Sequence, residues 1–171
     1  MKSNLTMDFS IDQSSNSVHV KKEFDAPLAT VWSAWTQSQW LDQWWAPKPW
    51  KAQTKSMDFT EGGRWLYAMV GPEGEEHWSI ADYKKIEPHQ FFEGEDAFTD
   101  SQGNINPGMP RMNWKVRFSK TSDSTLVDIH ITFDQPDDLE STLKMGFQEG
   151  FTMGLGNLDE LLAKDGNGKQ L

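Results

Sequence analysis

The sequence contains no cysteine, which excludes disulfides, thiolate metal sites and a cysteine nucleophile. It is also short of positive charge. Sixteen Lys and Arg stand against 26 Asp and Glu, for a formal net charge of −10. So acidic a chain lacks the basic footprint that phosphate contacts require, and an anionic membrane surface repels it. Nucleic acid and membrane are therefore not expected as partners. No apolar run approaches the ~20 residues of a membrane span, and the first residues hold no signal-like apolar stretch, so a cytoplasmic location is expected. Also missing are His-Glu-x-x-His, a Walker loop and Gly-x-Ser-x-Gly. Gly62-Gly63 precedes a strand-like run rather than a helix, so it reads as a turn and not as a phosphate cradle. The expectation is no metal and no cofactor. Tyrosine is scarce at two residues, whereas there are nine Trp and ten Phe in a chain only 36% hydrophobic. The apolar content is thus concentrated in a few large rings. Such a composition allows a core with an aromatic-lined hollow as readily as a solid one.

The length of 171 residues predicts one domain. Residues 1–16 read as an N-terminal extension or edge strand on the Met7-Phe9-Ile11 alternation, and 166–171 as a disordered tail. From Ser17 to Phe24 the alternation of Val18, Val20 and Lys22 with His19, Lys21 and Glu23 predicts a strand with one wet face. Pro27 then opens a helix whose Leu28, Val31, Trp32 and Trp35 form a stripe. Thr36 or Ser38 caps a second short helix carrying Trp40, Leu41, Trp44 and Trp45, ended by Pro47 and Pro49. About six strands follow, with period-two patterning and turns at Gly71–Gly74 and Pro88. Asp137 as N-cap with Glu140 three positions on, then Leu139, Leu143, Phe147, Phe151, Leu155, Leu158 and Leu162 at helical spacing, predicts one helix over about 138–164. Strands in series closed by a helix argue an α+β fold with the sheet curved around that helix.

Taken in order, VKKEFDAPLATVWSAWT, WLDQWWAP, MDFTEGGRWLYAMVGPEG, IEPHQFFE and GFTMGLGNLDELLA resemble the Activator-of-Hsp90-ATPase-homologue-like branch of the START-like, helix-grip (SRPBCC) superfamily. The likeness spans residues 17–164, within a domain set at 17–165. It implies a curved antiparallel seven-stranded sheet gripping a long C-terminal helix, with two short helices after the first strand and a cavity between sheet and helix. It also implies binding of a small hydrophobic or amphipathic molecule there. Two alternatives stay open: a small-molecule enzyme of the polyketide-cyclase or hydrolase kind, and an Hsp90-type chaperone-interaction domain. The second domain of full-length Hsp90 activators has no counterpart in this sequence. The partners to consider are a small apolar molecule, a second copy in a homodimer, and a chaperone.

In the implied fold Trp65, Tyr67, Met69, Met112, Trp114 and Phe118 fall on concave strand positions and are expected to line the cavity. The helix contributes Phe147, Gly150, Phe151 and Gly154. Gly146, Gly150 and Gly154 each cost roughly 1 kcal/mol against Ala in a helix interior, so they serve either close packing or cavity volume. Trp32, Trp35, Trp40, Trp44 and Trp45 read as cement between the short helices and the sheet. His77, on a strand among aromatics, is a candidate ligand contact or acid/base. Glu93, Glu95 and Asp96 form an acidic group that a wet strand face explains; an inward carboxylate there would have a raised pKa, and Glu95 is the candidate. In strand 76–86, Trp78 and Ile80 suggest one inward face and Ala81 and Tyr83 the other, reconcilable by a bulge near 80–81. The loop Thr99–Pro110 is long for a hairpin and is expected to be a flap over the cavity mouth with Met109 covering apolar surface, or a loop without a role.

Overall fold

A computed structural model describes residues 5–168, with side chains to 165; residues 1–4 and 169–171 lie outside the described residues. Eight strands form one antiparallel sheet. They are β1 Met7–Asp12, β2 Ser17–Phe24, β3 Lys51–Met57, β4 Arg64–Val70, β5 Glu76–Glu87, β6 Phe91–Thr99, β7 Met112–Lys120 and β8 Thr125–Thr132, in the spatial order β1-β2-β8-β7-β6-β5-β4-β3. The helices are α1 Leu28–Thr36, α2 Ser38–Trp44, α3 Pro136–Lys144 and α4 Phe147–Gly168. The α+β class and the curled sheet stand as expected, but the strand count is eight rather than seven. The extra strand is β1, which pairs with β2 along its full length from Met7↔Lys22 to Asp12↔Ser17.

The largest departure is the C-terminal helix. It is two helices, because Gly146 adopts φ +89° and its N–H closes back on the Leu143 carbonyl at 3.1 Å. This is the left-handed stop that glycine provides at a helix end. The N-cap of α3 is Gln135, with Pro136 in the first turn and no side-chain cap, so Asp137 is not the N-cap. Nor do Thr36 or Ser38 cap α2: Gln37, extended at φ −117°, ends α1 and starts α2. α4 runs on to Gly168, into the segment expected to be a tail.

One core joins the inner faces of the strands to the helices. Val18, Val20, Val116, Ile129 and Ile131 meet Leu155 and Leu158 of α4, while α1 and α2 add Val31, Trp32, Trp35, Leu41 and Trp44. Each such side chain contributes roughly 1.5–3 kcal/mol when fully buried. The α2–α4 contact is polar at its centre. Asn157 donates to the carbonyls of Ala46 (3.0 Å) and Trp44 (3.4 Å), and Trp44 Nε1–H donates to Ala34 (2.8 Å). A smaller cluster on the outer face joins Leu66, Ile80 and Ala97 to Trp78 and Ile105. That settles the phase of β5. Trp78 and Ile80 face outward and Ser79, Ala81 and Tyr83 inward, with the register irregularity at Tyr83/Lys85 rather than 80–81.

The long loop after β6 belongs to the outer face too. Ile105 bridges to Thr99 and covers Leu66 and Ile80, Gly103 accepts from Arg64 Nη1 (3.1 Å), and Ser101 accepts from Lys55 Nζ (2.9 Å). No residue of this loop, Met109 included, lines the cavity described below. The expected flap is therefore corrected: apolar side chains on the outer face of β4–β6 hold the loop away from the mouth.

Candidate ligand-binding site

A cavity of about 230 Å³ separates the inner face of β4–β7 from the α3–α4 junction. Period-two geometry builds its floor. Tyr67 and Met69 of β4 stand opposite Ser79 and His77 of β5; Asp96 and Phe98 of β6 and Met112 and Trp114 of β7 continue the face. The roof is Thr142 and Met145 of α3 and its end, then Gly146, Phe147, Gly150 and Phe151. Trp45 and Pro47, just past α2, close one side. Exposed His77 and Met145 mark the rim, while Tyr67, Met112 and Trp114 of the floor and Phe151 of the roof are buried. Ring contacts fix the walls: Trp114 meets Phe151 edge-on at 5.5 Å, Phe147 stacks on Phe151 at 5.4 Å and Trp45 meets Trp114 at 5.9 Å.

The base is polar. Asp96 Oδ1 accepts the Met112 N–H and its Oδ2 accepts Trp114 Nε1–H, both at 2.9 Å. Asp96 lines the cavity. Burial pushes the carboxyl up to about 7, against the two hydrogen bonds and the charge of Arg111, which favour the ionised form. Tyr67 stands beside it. Its hydroxyl accepts Trp45 Nε1–H at 3.0 Å and is held far above the ordinary phenol range, first by burial and then by the Asp96 charge, so it stays protonated. Ser79 lies within reach of that hydroxyl. In the roof, Thr142 Oγ1 is buried with no hydrogen-bond partner among the described residues. A floor that offers an acid, two hydroxyls and apolar walls can orient a small molecule by one end and shelter the rest.

Of the residues expected to line the cavity, Tyr67, Met69, His77, Met112, Trp114, Phe147, Gly150 and Phe151 do so. Trp65 does not. It stacks on Tyr67 at 4.0 Å, donates to Thr54 Oγ1 at 2.9 Å, and lines instead a second space of about 40 Å³. Phe118 packs instead into the rings around Trp32 at 5.0 Å, because α1 fills that end of the concave face. Gly154 is a packing residue: a Cβ there would lie 3.2 Å from the Trp45 carbonyl oxygen. Gly150 faces the cavity, with only Pro47 Cγ at 3.7 Å. The three helix glycines thus have three reasons, since Gly146 is the helix stop.

The inward carboxylate is Asp96 and not Glu95. Glu95 is on the outer side of β6, with Lys84 Nζ and Arg111 Nη2 each 3.4 Å from its Oε1. His77 sits at the rim with its ring 5.3 Å from Trp50. The alternation of Phe92, Gly94, Asp96 and Phe98 holds the signal for Asp96, because two rings in phase with it mark the inner face. Trp45, expected from its place beside Trp44 to cement α2 to the sheet, lies just past the end of α2 and walls the cavity. Among the described residues no group of three or more His, Asp or Glu is placed to hold a metal, and no helix is long and apolar enough to cross a membrane.

No curated protein sequence matches the chain. Solved structures do. Protein Ms6760 from Mycobacterium smegmatis is 26% identical with a TM-score of 0.84, over 93% of this chain and 97% of that one. A protein from Arthrobacter aurescens is 27% identical with a TM-score of 0.87, over 92% and 91%. A protein from Staphylococcus epidermidis is 26% identical with a TM-score of 0.80, over 91% and 94%. The model of the family described as Activator of Hsp90 ATPase homolog 1-like protein matches residues 25–163, from the turn before α1 to the last turns of α4. The strands and helices that wall the cavity lie within that span, and the chain belongs to the Activator of Hsp90 ATPase homolog 1-like family.

Proposed function

We propose that the protein binds a small molecule with an apolar body and a polar end in the space between β4–β7 and the α3–α4 junction. The observation that carries this is the division of the cavity into aromatic walls and a polar base of Asp96, Tyr67 and Ser79. At about 230 Å³ the cavity lies just below the ~300–1,000 Å³ of drug-sized sites, which favours a ligand of one or two rings. Apolar contact supplies the free energy and the base supplies orientation. Native mass spectrometry and thermal shift against a library of small hydrophobic metabolites test it. A hit should be lost in Gly150→Phe, whose ring would occupy the cavity beside Pro47. A hit retained at full affinity in that variant places the ligand elsewhere and overturns the reading.

A second reading has its own support. A carboxyl brought up to about 7 inside a cavity is suited to exchange protons with a bound molecule near neutral pH. Protonated Tyr67 beside it could donate a hydrogen bond to a developing negative charge. Turnover of a bound compound that Asp96→Asn abolishes while binding persists would establish this chemistry. Turnover unchanged by that substitution would remove it.

A further inference from the structure

We propose that the ligand is an organic cation, an aromatic body bearing a protonated amine that pairs with Asp96. This rests on the reading that the cavity binds a small molecule and names its chemical class. The first support is an unpaired carboxylate, half-buried at the base of the cavity. Among the described residues no Lys, Arg or His side chain pairs with the Asp96 carboxylate. Arg111 could have done so. Its guanidinium turns to Glu95, and its Nε donates to the backbone carbonyl of Asp96 at 3.3 Å. A carboxylate drawn partly out of water without a cation is costly, and a ligand that brings the cation relieves the cost.

The second support is the directions of its hydrogen bonds. Each carboxylate oxygen accepts one protein N–H, which leaves lone pairs on both oxygens for donors from the cavity. An ammonium group offers three donors and no acceptor, and so fits where an anion would be repelled. The third support is the wall. Trp45, Trp114, Phe147 and Phe151 surround the space, and aromatic faces attract cations. Among the described residues, no lysine or arginine lines it.

The test uses two matched series that differ only in the head group: phenethylamine, phenethyl alcohol and phenylacetate, and tryptamine, tryptophol and indoleacetate. Affinities are measured by calorimetry or protein-observed NMR on the full chain. The amine should bind about tenfold or more tightly than the alcohol, and the acid most weakly. Asp96→Asn should reduce the amine to the level of the alcohol while the alcohol changes by no more than about threefold. Should that variant fail to fold, pH replaces it. Among the described residues the titratable groups around Asp96 are Tyr67 on β4, which lines the cavity with it, and Glu95 and Arg111 beside it, with His77 of β5 at the rim; the α3 and α4 lining is uncharged. In a His77→Gln background the amine's advantage should shrink between about pH 8 and about pH 5, as Asp96 protonates. An alcohol or acid that binds as tightly as the amine overturns the cation and leaves the cavity reading standing. Failure of all six to bind overturns the cation as well, and the metabolite library then decides the cavity reading separately.

Discussion

The interior has two ends built from the same kind of side chain. At the closed end Trp32 meets Phe118 at 5.0 Å, Phe59 at 5.9 Å and Phe92 at 6.2 Å, and Trp35 meets Trp44 at 4.9 Å, all edge-to-face. At the open end Trp45, Trp114, Phe147 and Phe151 are as close to one another, yet they enclose a cavity. Ring content does not separate the ends; what faces the rings does. α1 and α2 present tryptophans to the closed end. The α3–α4 junction presents Gly146 and Gly150 to the open end, and β6 sets Asp96 beneath them. Empty volume and an unpaired charge therefore occur together, and both detract from stability where the site is.

The sharpest way to break this comparison is to remove one ring from each end. Trp35 is 2% exposed, and Trp35→Ala should cost about 3–5 kcal/mol in urea denaturation, the usual range for a buried tryptophan. Phe147 is half-buried over the cavity. Phe147→Ala should cost less than about 2 kcal/mol, because little packed volume is lost, while weakening any cavity ligand. Equal losses of stability would mean that the two ends are packed alike.

A second test reads the charge at the open end. The Asp96 carboxyl is raised in the folded protein to about 7 from an ordinary 3.8. Between those values the native state holds a proton that the unfolded chain lacks, so stability falls as pH rises from about 4 to about 7. The span is of the order of a few kcal/mol. Urea midpoints of the wild type and Asp96→Asn should converge or cross along this range, the wild type gaining on the variant toward acid. A difference that stays constant with pH would show that Asp96 titrates normally and that the open end is wet.

The strands and the two short helices were legible because one face of each is buried, and burial of one face writes period two or 3.6 into the sequence. Val18, Val20, Val116 and Ile129 are such positions. The helix break was not legible. The apolar stripe continues through Leu143 and Phe147 on either side of Gly146, so spacing alone cannot show that one glycine has turned left-handed. The site was legible in its apolar part only. Tyr67, Met112 and Trp114 follow the face of their strands, but Asp96 reads as solvated until its phase is taken from Phe92 and Phe98. The outer-face docking of residues 100–105 depends on Leu66 and Ile80, distant in sequence, and nothing local encodes it.

The smallest effects separate the two helix glycines that a stripe of small residues makes look alike. Replacing a helix-interior glycine by alanine gains up to about 1 kcal/mol where the methyl has room. Gly150 has it: its added Cβ meets only Pro47 Cγ at 3.7 Å, so Gly150→Ala should stabilise the protein by most of that amount. At Gly154 the same methyl meets the carbonyl oxygens of Trp45 at 3.2 Å and Trp44 at 3.3 Å, which belong to backbone and cannot swing aside. Relief requires α4 to move off the end of α2. That movement stretches the Asn157 bonds to Ala46 and Trp44, each worth about 1 kcal/mol net, and so the helix-propensity gain is cancelled or exceeded. Gly154→Ala should therefore lower the melting temperature while Gly150→Ala raises it. Stabilisation of both would show that α4 already stands clear of α2, and that Gly154 marks unused space rather than contact.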